Sequence, residues 1–274
     1  MGQFWDHIPN DLFPWILQQH LFWVASAPLS EDGHVNVSPK GLEGTFHIVD
    51  EHTVWYEDMT GSGVETISHV RENGRITILF VAFEGPPRLI RLFGTGTIYE
   101  FGTPEYEELL PPGKQNHASR AVVVIKVHKV GSSCGYSVPF YEFKYNRTRY
   151  NNAARTLEAA DVAHENECPT DDQFDPSNPP EKGLRAYWKT ANAKSLDGLP
   201  ALLSAPFNRL GPRDDLKPEK ATVFDSKRPK ANVAPDGQCH GPGRVEKKAS
   251  WVDVKFLAGL SVGFVLALCM QRVR

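Results

Sequence analysis

The sequence predicts a mainly β protein, a barrel with a few short helices, and three observations support this class. Six segments of the first 150 residues are rich in Val, Ile, Thr, Phe and Trp and are bounded by Gly, Pro, Asp and Asn. Few helical segments separate them, whereas a doubly wound sheet needs a crossover helix between its parallel strands. The chain has 274 residues and is 41% hydrophobic, which is enough for a buried core.

The predicted elements follow one another through the first half of the chain. The six strands span residues 21–27, 44–49, 53–56, 75–83, 89–100 and 121–130. Helices are predicted at 11–20, 62–72 and 103–110. The second helix has the pattern of a capping box, with Ser62 as the N-cap and Glu65 three residues later, and Asn73 and Gly74 end it. The third begins at Thr103, which is followed by a proline.

The second half of the chain changes character twice. Residues 151–205 are predicted to form a helical extension, with helices at 152–167 and 184–195. Residues 206–250 are poor in apolar side chains, so they are expected to be a flexible linker. Residues 251–271 are then expected to be a C-terminal transmembrane anchor.

The anchor prediction depends on length and flanking charge. Residues 252–270 reach about 28 Å as a helix, close to the roughly 30 Å of a hydrocarbon core. Basic residues flank the segment on both sides. The N-terminus lacks the basic region of a secretory signal, so the head is expected to be cytosolic. The alternative is an apolar helix that packs on the globular part. The sequence does not identify the membrane.

Composition excludes several classes of protein. The formal net charge of −3 argues against a globally basic nucleic-acid-binding protein and against a wholly disordered chain. Four widely spaced cysteines, without a CxxC pair, are typical of a reducing compartment. The chain has no GxSxG, GxGxxG or Walker motif, and its ten histidines lack metal-ligand spacing. We therefore expect no metal site, and no catalytic residue is identified.

Two polar patterns indicate a ligand site. Residues 59–63, Met-Thr-Gly-Ser-Gly, follow a strand and open a helix, so hydroxyl groups and unpaired N–H groups can form an anion cradle there. A helix cap at Ser62 explains the same residues. Upstream, Asn36, Ser38 and Lys40 alternate along an extended segment and fall on one face. That face suits a ligand with phosphate and carbonyl oxygens, although a solvated strand face explains it as well.

In order and spacing, these segments resemble the pyridoxamine-phosphate-oxidase-like flavoproteins, in their uncharacterised branch. The resemblance covers roughly residues 1–200. It is carried by residues 25–28, 33–40 (GHVNVSPK), 54–66 (VWYEDMTGSGVET), 72–83 (ENGRITILFVAF), 84–94 (EGPPRLIRLFG), 133–143 (SCGYSVPFYEF) and, weakly, 187–199 (YWKTANAKSLDGL). It implies a six-stranded split β-barrel of Greek-key topology over residues 1–150, with FMN bound in a groove between the subunits of a homodimer.

The resemblance also implies the residues that contact FMN. They are Asn36, Ser38, Lys40, Tyr56, Thr60, Gly61, Ser62, Gly63, Glu65, Thr66, Arg88 and Arg91. Glu65 and Thr66 stand where true pyridoxamine-phosphate oxidases carry an Arg-Lys pair for phosphate, and Arg88 stands where they carry a flavin-contacting Gln. Phosphate charge is then expected to rest on Lys40, Arg88 or Arg91, together with the N-terminus of the following helix. Lys40 is the expected cation near N1 of the flavin ring.

Three functional hypotheses follow. The first is a tail-anchored, FMN-dependent oxidoreductase of unknown substrate. Oxidation of vitamin B6 itself is not expected, because the C-terminal Arg-x-His segment that binds the substrate in the true oxidases is absent. The second is a non-catalytic module that binds flavin or another cofactor. The third is a membrane-tethered interaction protein with an empty barrel.

Overall fold

Eight strands and five α-helices make up the part of the chain that the computed structural model describes, residues 2–147 and 149–217. The strands are β1 (Gln3–Trp5), β2 (Leu21–Ser26), β3 (Asn36–Gly41), β4 (Phe46–Asp50), β5 (Thr53–Met59), β6 (Arg75–Val81), β7 (Leu89–Glu100) and β8 (Ser119–Ser133). The helices are α1 (Phe13–Leu17), α2 (Glu65–Asn73), α3 (Pro104–Leu109), α4 (Arg149–Glu167) and α5 (Leu184–Ala191). The predicted mainly β class is confirmed.

The strands form one antiparallel sheet that curls into a half-barrel. Its order is β3-β2-β6-β7-β8-β5-β4, and β1 pairs with β8 beside this path. Because the sheet curls, rings from strands that are distant in this order meet. The Phe22 ring of β2 lies 5.1 Å from Phe46 of β4 and 5.5 Å from Tyr56 of β5. This architecture is consistent with a split barrel.

The expected number of six strands is wrong, since the described residues contain eight. The strand β1 has only three residues and pairs with β8 from Gln3 to Trp5, so tertiary pairing rather than local propensity forms it. The strand β3 contains Pro39 and lies at one end of the sheet order. Proline is confined to such edge positions because it cannot donate a ladder hydrogen bond.

Of the three helices predicted in the first half of the chain, α3 begins as predicted, whereas the start of α2 and the length of the first helix differ from the prediction. The capping box is wrong, because α2 begins at Glu65 and its N-cap residue, Val64, makes no side-chain cap bond. Its C-terminal end at Gly74, with φ of 72°, agrees with the prediction. The predicted start of α3 is confirmed, since the Thr103 hydroxyl accepts the Tyr106 N–H. The predicted helix at 11–20 is shorter, a 3-10 turn at residues 10–12 followed by the five residues of α1.

Two hydrophobic cores lie on opposite faces of the sheet. The barrel interior contains Phe22, Tyr56 and Phe80. The second core lies between the sheet and the helices and contains Ile67, Val122 and Trp188. Along β5 every residue from Thr53 to Asp58 is buried, because one face of the strand belongs to each core.

The segment after α5 is held on the second core by a carboxylate at the end of β7. Glu100 is 2% exposed and accepts hydrogen bonds from the backbone N–H groups of Leu203, Ser204 and Ala205 at 2.7–3.0 Å. It also pairs with the Arg71 guanidinium of α2. The helical extension is thereby tied to the sheet and to α2.

None of the helices within residues 2–147 and 149–217 has the length and apolarity that a bilayer span requires. The predicted anchor at 251–271 lies outside the described residues, as does most of the predicted linker at 206–250.

Candidate functional site

A buried carboxylate between two cations marks one end of the barrel interior. Asp58 of β5 is fully buried, and its Oδ1 accepts a hydrogen bond from Lys40 Nζ at 2.6 Å. Its Oδ2 accepts from Arg120 Nε at 2.8 Å. The Lys40 side chain is 18% exposed and that of Arg120 only 3%. Two positive charges against one negative leave this ionic trio, Lys40, Asp58 and Arg120, with one net positive charge.

The same arginine binds the glycine-containing loop of residues 60–63. Arg120 donates to the carbonyl oxygen of Gly63 at 2.9 Å and, more weakly, to that of Gly61 at 3.4 Å. Asn192, just after α5, also donates to Gly61 O, at 2.9 Å, and accepts from Arg120 at 2.9 Å. The ionic trio and the loop therefore belong to one hydrogen-bonded network.

These carbonyl contacts determine where the loop presents its N–H groups. All peptide bonds of the described residues are trans, and a trans peptide directs its C=O and the following N–H in opposite directions. Because Gly61 O and Gly63 O face Arg120, the N–H groups of Ser62 and Val64 face away from it. Neither N–H donates a hydrogen bond within the described residues. Unpaired N–H groups just before a helix, such as these before α2, can bind an anion.

A second network runs along the inner face of β3. Asn36, Ser38 and Lys40 share this face, as predicted. The Asn36 amide donates to Thr66 Oγ1 at 2.9 Å and to Ser26 Oγ at 3.1 Å, and its Oδ1 accepts from Ser38 Oγ at 2.7 Å. Ser26 Oγ and His69 Nδ1 are hydrogen-bonded at 3.0 Å. The orientation of the Asn36 amide is therefore set by β2, β3 and α2 together.

Burial and charge shift the pKa values of three groups in these networks. Burial acts to raise the pKa of Asp58, but the charges of Lys40 and Arg120 outweigh it and hold that pKa below its ordinary value. Burial, reinforced by the Asp58 charge, raises the pKa of Tyr56 well above its usual range. Burial lowers the pKa of His69, so this imidazole is neutral at pH 7.

The structure brings most of the predicted site residues together. Lys40 and the loop 60–63 share the network around Arg120, and Tyr56 lies below Lys40, with Nζ 6.0 Å from its ring centre. Thr66 contacts Asn36. The carboxylate of Glu65 lies beside the loop, where a Cβ on Gly63 would come within 2.6 Å of Glu65 Oε2.

Two predicted residues lie elsewhere in the protomer. The Arg88 guanidinium stacks over Trp15 at 5.6 Å. Arg91 lies on β7 between the buried Ile90 and Leu92, so it faces the opposite side of the sheet from the barrel interior. Neither residue contacts Lys40 or the loop within the described residues. Their role at a ligand stays a prediction.

The residues present at this end of the barrel fit an anionic ligand such as a phosphate-bearing cofactor. The loop offers two unpaired N–H groups, the ionic trio adds a positive charge, and a Cβ built on Gly61 would meet nothing within 4 Å. One predicted donor is not available. The Thr60 hydroxyl donates to Ala118 O and accepts from Trp188 Nε1, both at 2.6 Å.

Sequence reasoning missed several residues of the site. Asp58 carries a weak signal, because it continues the period-two face of Val54 and Tyr56 along β5. Arg120 and Asn192 carry none, since their partners lie 57 to 131 residues away. His69 is hidden within an ordinary amphipathic helix pattern.

Comparisons with known proteins give a consistent result. The profile of a family described as Pyridoxamine 5'-phosphate oxidase matches residues 9–134. The chain is 36% identical over 215 residues to the pyridoxamine 5'-phosphate oxidase family protein ustO of Aspergillus flavus, an alignment that covers 75% of this chain and 80% of that protein.

Solved structures are also similar. HupZ of Group A Streptococcus is 27% identical with a TM-score of 0.36, over 45% of this chain and 91% of that one. A putative pyridoxamine 5'-phosphate oxidase of Lactobacillus delbrueckii is 15% identical with a TM-score of 0.36, over 46% and 94%.

Proposed function

Because this chain belongs to the pyridoxamine 5'-phosphate oxidase family, we propose that it binds FMN between the loop 60–63 and the inner face of β3, and that it is an oxidoreductase. The observation that carries this proposal is the pair of unpaired N–H groups of Ser62 and Val64, beside an ionic trio with net positive charge. Unpaired N–H groups at helix N-termini bind phosphate oxygens in many unrelated proteins.

In this proposal, different residues of the site bind different parts of FMN. The phosphate fits the loop, where N–H groups and the exposed Ser62 hydroxyl replace the Arg-Lys pair of true pyridoxamine-phosphate oxidases. The donors of Asn36 and Ser38 are used within the chain, so these two residues offer the ring system only the remaining acceptor sites of Asn36 Oδ1 and Ser38 Oγ. Lys40 supplies a cation, but Asp58 already holds one of its hydrogen bonds and counters part of its charge. When bound, FMN supplies hydride transfer at N5 of its ring.

The substrate is not pyridoxamine phosphate in this proposal. The C-terminal Arg-x-His segment with which true pyridoxamine-phosphate oxidases bind that substrate is absent from the sequence. No other substrate is assigned, since the loops around the site give no chemical signature beyond polarity.

A homodimer with FMN at the subunit interface completes the proposal. Arg88 and Arg91 do not reach Lys40 within one protomer, so in this arrangement they would serve the site of a second copy. Apolar side chains near β3 are available for such an interface, since Val35 is 73% exposed and Val37 62%. Sedimentation or light scattering of the purified chain measures the oligomeric state, and a monomer that still binds FMN would reject the shared site.

Membrane attachment through residues 251–271 is the remaining part of the proposal. It is supported by the uncharged run FLAGLSVGFVLALCM and its basic flanks. Deletion of residues 251–274 should move the protein from the membrane fraction to the soluble fraction. A full-length protein that is already in the soluble fraction would contradict the anchor.

Flavin binding is tested by absorption spectroscopy and FMN titration of the purified full chain. We expect a yellow protein, and we expect Lys40→Ala to weaken FMN binding about tenfold, since it removes a charged donor worth roughly 1.5 kcal/mol. Lys126→Ala is the matched control, because Lys126 binds Thr53 at the other end of β5. A folded protein that takes up no FMN would reject the proposal and favour an empty barrel.

A non-catalytic flavin-binding module is the second candidate. It is favoured by the environment of His69, the imidazole nearest to this network, which is buried, hydrogen-bonded to Ser26 and shifted toward the neutral form. Reduction of the bound flavin by NADH or NADPH under anaerobic conditions would support the oxidoreductase. A bound flavin that neither donor reduces would support the module.

A further inference from the structure

The helix α5 contacts the ligand loop from outside the part of the chain that the family profile matches. That profile ends at residue 134, whereas α5 spans Leu184–Ala191. Trp188 of α5 donates its indole N–H to Thr60 Oγ1 at 2.6 Å, and Asn192 donates to Gly61 O at 2.9 Å. Both side chains are completely buried. These contacts therefore do not follow from the barrel alone.

The Asn192 amide fits its place in only one orientation and only as an amide. Its Nδ2 donates to a carbonyl oxygen of the loop while its Oδ1 accepts from Arg120. An aspartate could accept from Arg120 but could not donate to Gly61 O, and it would place a negative charge beside that carbonyl. Asn192 therefore hydrogen-bonds to the Gly61 carbonyl and to the Arg120 guanidinium at the same time.

The helix α5 is itself bound to α4 by a buried ion pair. Arg185 of α5 is fully buried and binds the Asp161 carboxylate of α4 through its Nε and its backbone N–H, both at 3.0 Å. Just before α5, a Cβ on Gly183 would lie 2.6 Å from Asp161 Oδ1, which shows how closely the two helices approach. The loop is therefore linked through α5 to α4.

We propose that Trp188 and Asn192 are positioning residues, which hold the loop 60–63 so that the N–H groups of Ser62 and Val64 are presented to an anionic ligand. This inference rests on the proposed function for its ligand, FMN. The residues touch no ligand themselves. They act through the Thr60 hydroxyl and the Gly61 carbonyl, and so they extend the site to a segment that follows the matched barrel.

Conservative variants of the full chain test this role. Trp188→Phe keeps an aromatic ring but removes the N–H, and Tyr187→Phe is its matched control, since the Tyr187 hydroxyl makes no hydrogen bond among the described residues. We expect Trp188→Phe to weaken FMN binding about fivefold, as the loss of one hydrogen bond implies. We expect Asn192→Asp to weaken it tenfold or more, against no change for the exposed Asn166→Asp.

Amide hydrogen exchange of the ligand-free protein gives a readout that a general loss of stability would not reproduce. We expect Trp188→Phe and Asn192→Asp to speed exchange selectively in residues 60–68, where the Thr60 N–H bonds Ala118 O and the Ser68 N–H bonds Val64 O, with the strands β6 and β7 unchanged. The double variant with Thr60→Val should weaken FMN binding no further than Thr60→Val alone, because Trp188 acts through that hydroxyl.

The outcomes separate this inference from the proposed function. If the wild type binds no FMN, the proposed function fails, and exchange at the bonded amides of Thr60 and Ser68 still decides whether α5 orders the loop. If the wild type binds FMN but both variants bind it with unchanged affinity, or exchange stays unchanged at these two amides, the inference is overturned. Should one variant fail to fold, the other decides by the same measurements.

Discussion

Replacing Asp58 by Asn tests the buried carboxylate on which the site depends. The substitution keeps the shape of the side chain and removes its charge. Lys40 and Arg120 then lose their shared counter-charge, and an amide nitrogen can face one of them. Lys40 is partly exposed and can turn toward water, whereas Arg120 is 3% exposed and cannot.

The expected loss of folding stability in Asp58→Asn follows from the burial of this ion pair. Removing one partner of a buried ion pair costs about 3–5 kcal/mol, and the lower end applies here because Lys40 is partly hydrated. A loss of about 3 kcal/mol corresponds to a decrease in Tm of about 6–12 °C for a folded region of this size. The exposed loop residue Asp32, replaced by Asn, provides the matched control and should leave Tm nearly unchanged.

The pH dependence gives a second, independent check. The pKa of Asp58 is lower in the folded protein than in the unfolded chain. Its contribution to stability is therefore complete above the ordinary value of about 3.9 and is lost as the pH falls through the folded pKa. We expect the difference in Tm between wild type and Asp58→Asn to be full at pH 7 and to shrink in acid below about pH 4. A decrease smaller than about 2 °C at pH 7 would refute the reasoning, since it corresponds to no more than about 1 kcal/mol.

Three further substitutions probe the frame around the site. Glu100→Gln leaves buried N–H donors with a weaker acceptor, and we expect the free energy of unfolding in urea to fall by about 3 kcal/mol. Gly94→Ala would place a Cβ 2.4 Å from Ile125 Cγ2 and 2.7 Å from Lys126 O, so the same measurement should fall by about 1–3 kcal/mol. Gly61→Ala meets no atom of the chain within 4 Å, so stability should change by less than about 0.5 kcal/mol. If FMN approaches the loop there, Gly61→Ala should nevertheless weaken FMN binding, and unchanged affinity would contradict that approach.

The sheet could be predicted where its signals are local. The bounds of β7, residues 89–100, agree with the prediction, because a run rich in β-branched, aromatic and other apolar residues is bounded by turn residues on each side. The alternation of Asn36, Ser38 and Lys40 also predicted their shared face correctly. Both features need only the period of a strand and its punctuation.

The start of α2 could not be predicted, because distant residues override a local rule. Ser62 followed by Glu65 has the pattern of a capping box, and an isolated peptide would be expected to use it. In the structure Arg120 and Asn192 bind the loop carbonyls, and the helix starts three residues later than predicted. Partners that lie 57 and 131 residues away leave no mark in the local sequence.

The site could be predicted only in part for a related reason. An ion pair across a barrel joins strands that are far apart in the chain, so Asp58 and Arg120 give no local signal as partners of Lys40. Arg88 and Arg91 were assigned by position in the resemblance. The alternation of β7 places Arg91 on the face opposite to the barrel interior, so its assignment to the site stays a prediction.

The carboxylate of Glu100 imposes an order of events during synthesis. Its backbone partner Ser204 follows it by 104 residues, which a ribosome adds in about 5–20 s at 5–20 residues per second. Throughout that interval the emerging chain has β7 and Arg71 but not the backbone amides that donate to Glu100. A nascent chain therefore cannot complete the hydrogen bonds of Glu100 until the segment after α5 has left the ribosome, and a premature stop before that point leaves the carboxylate without its backbone donors.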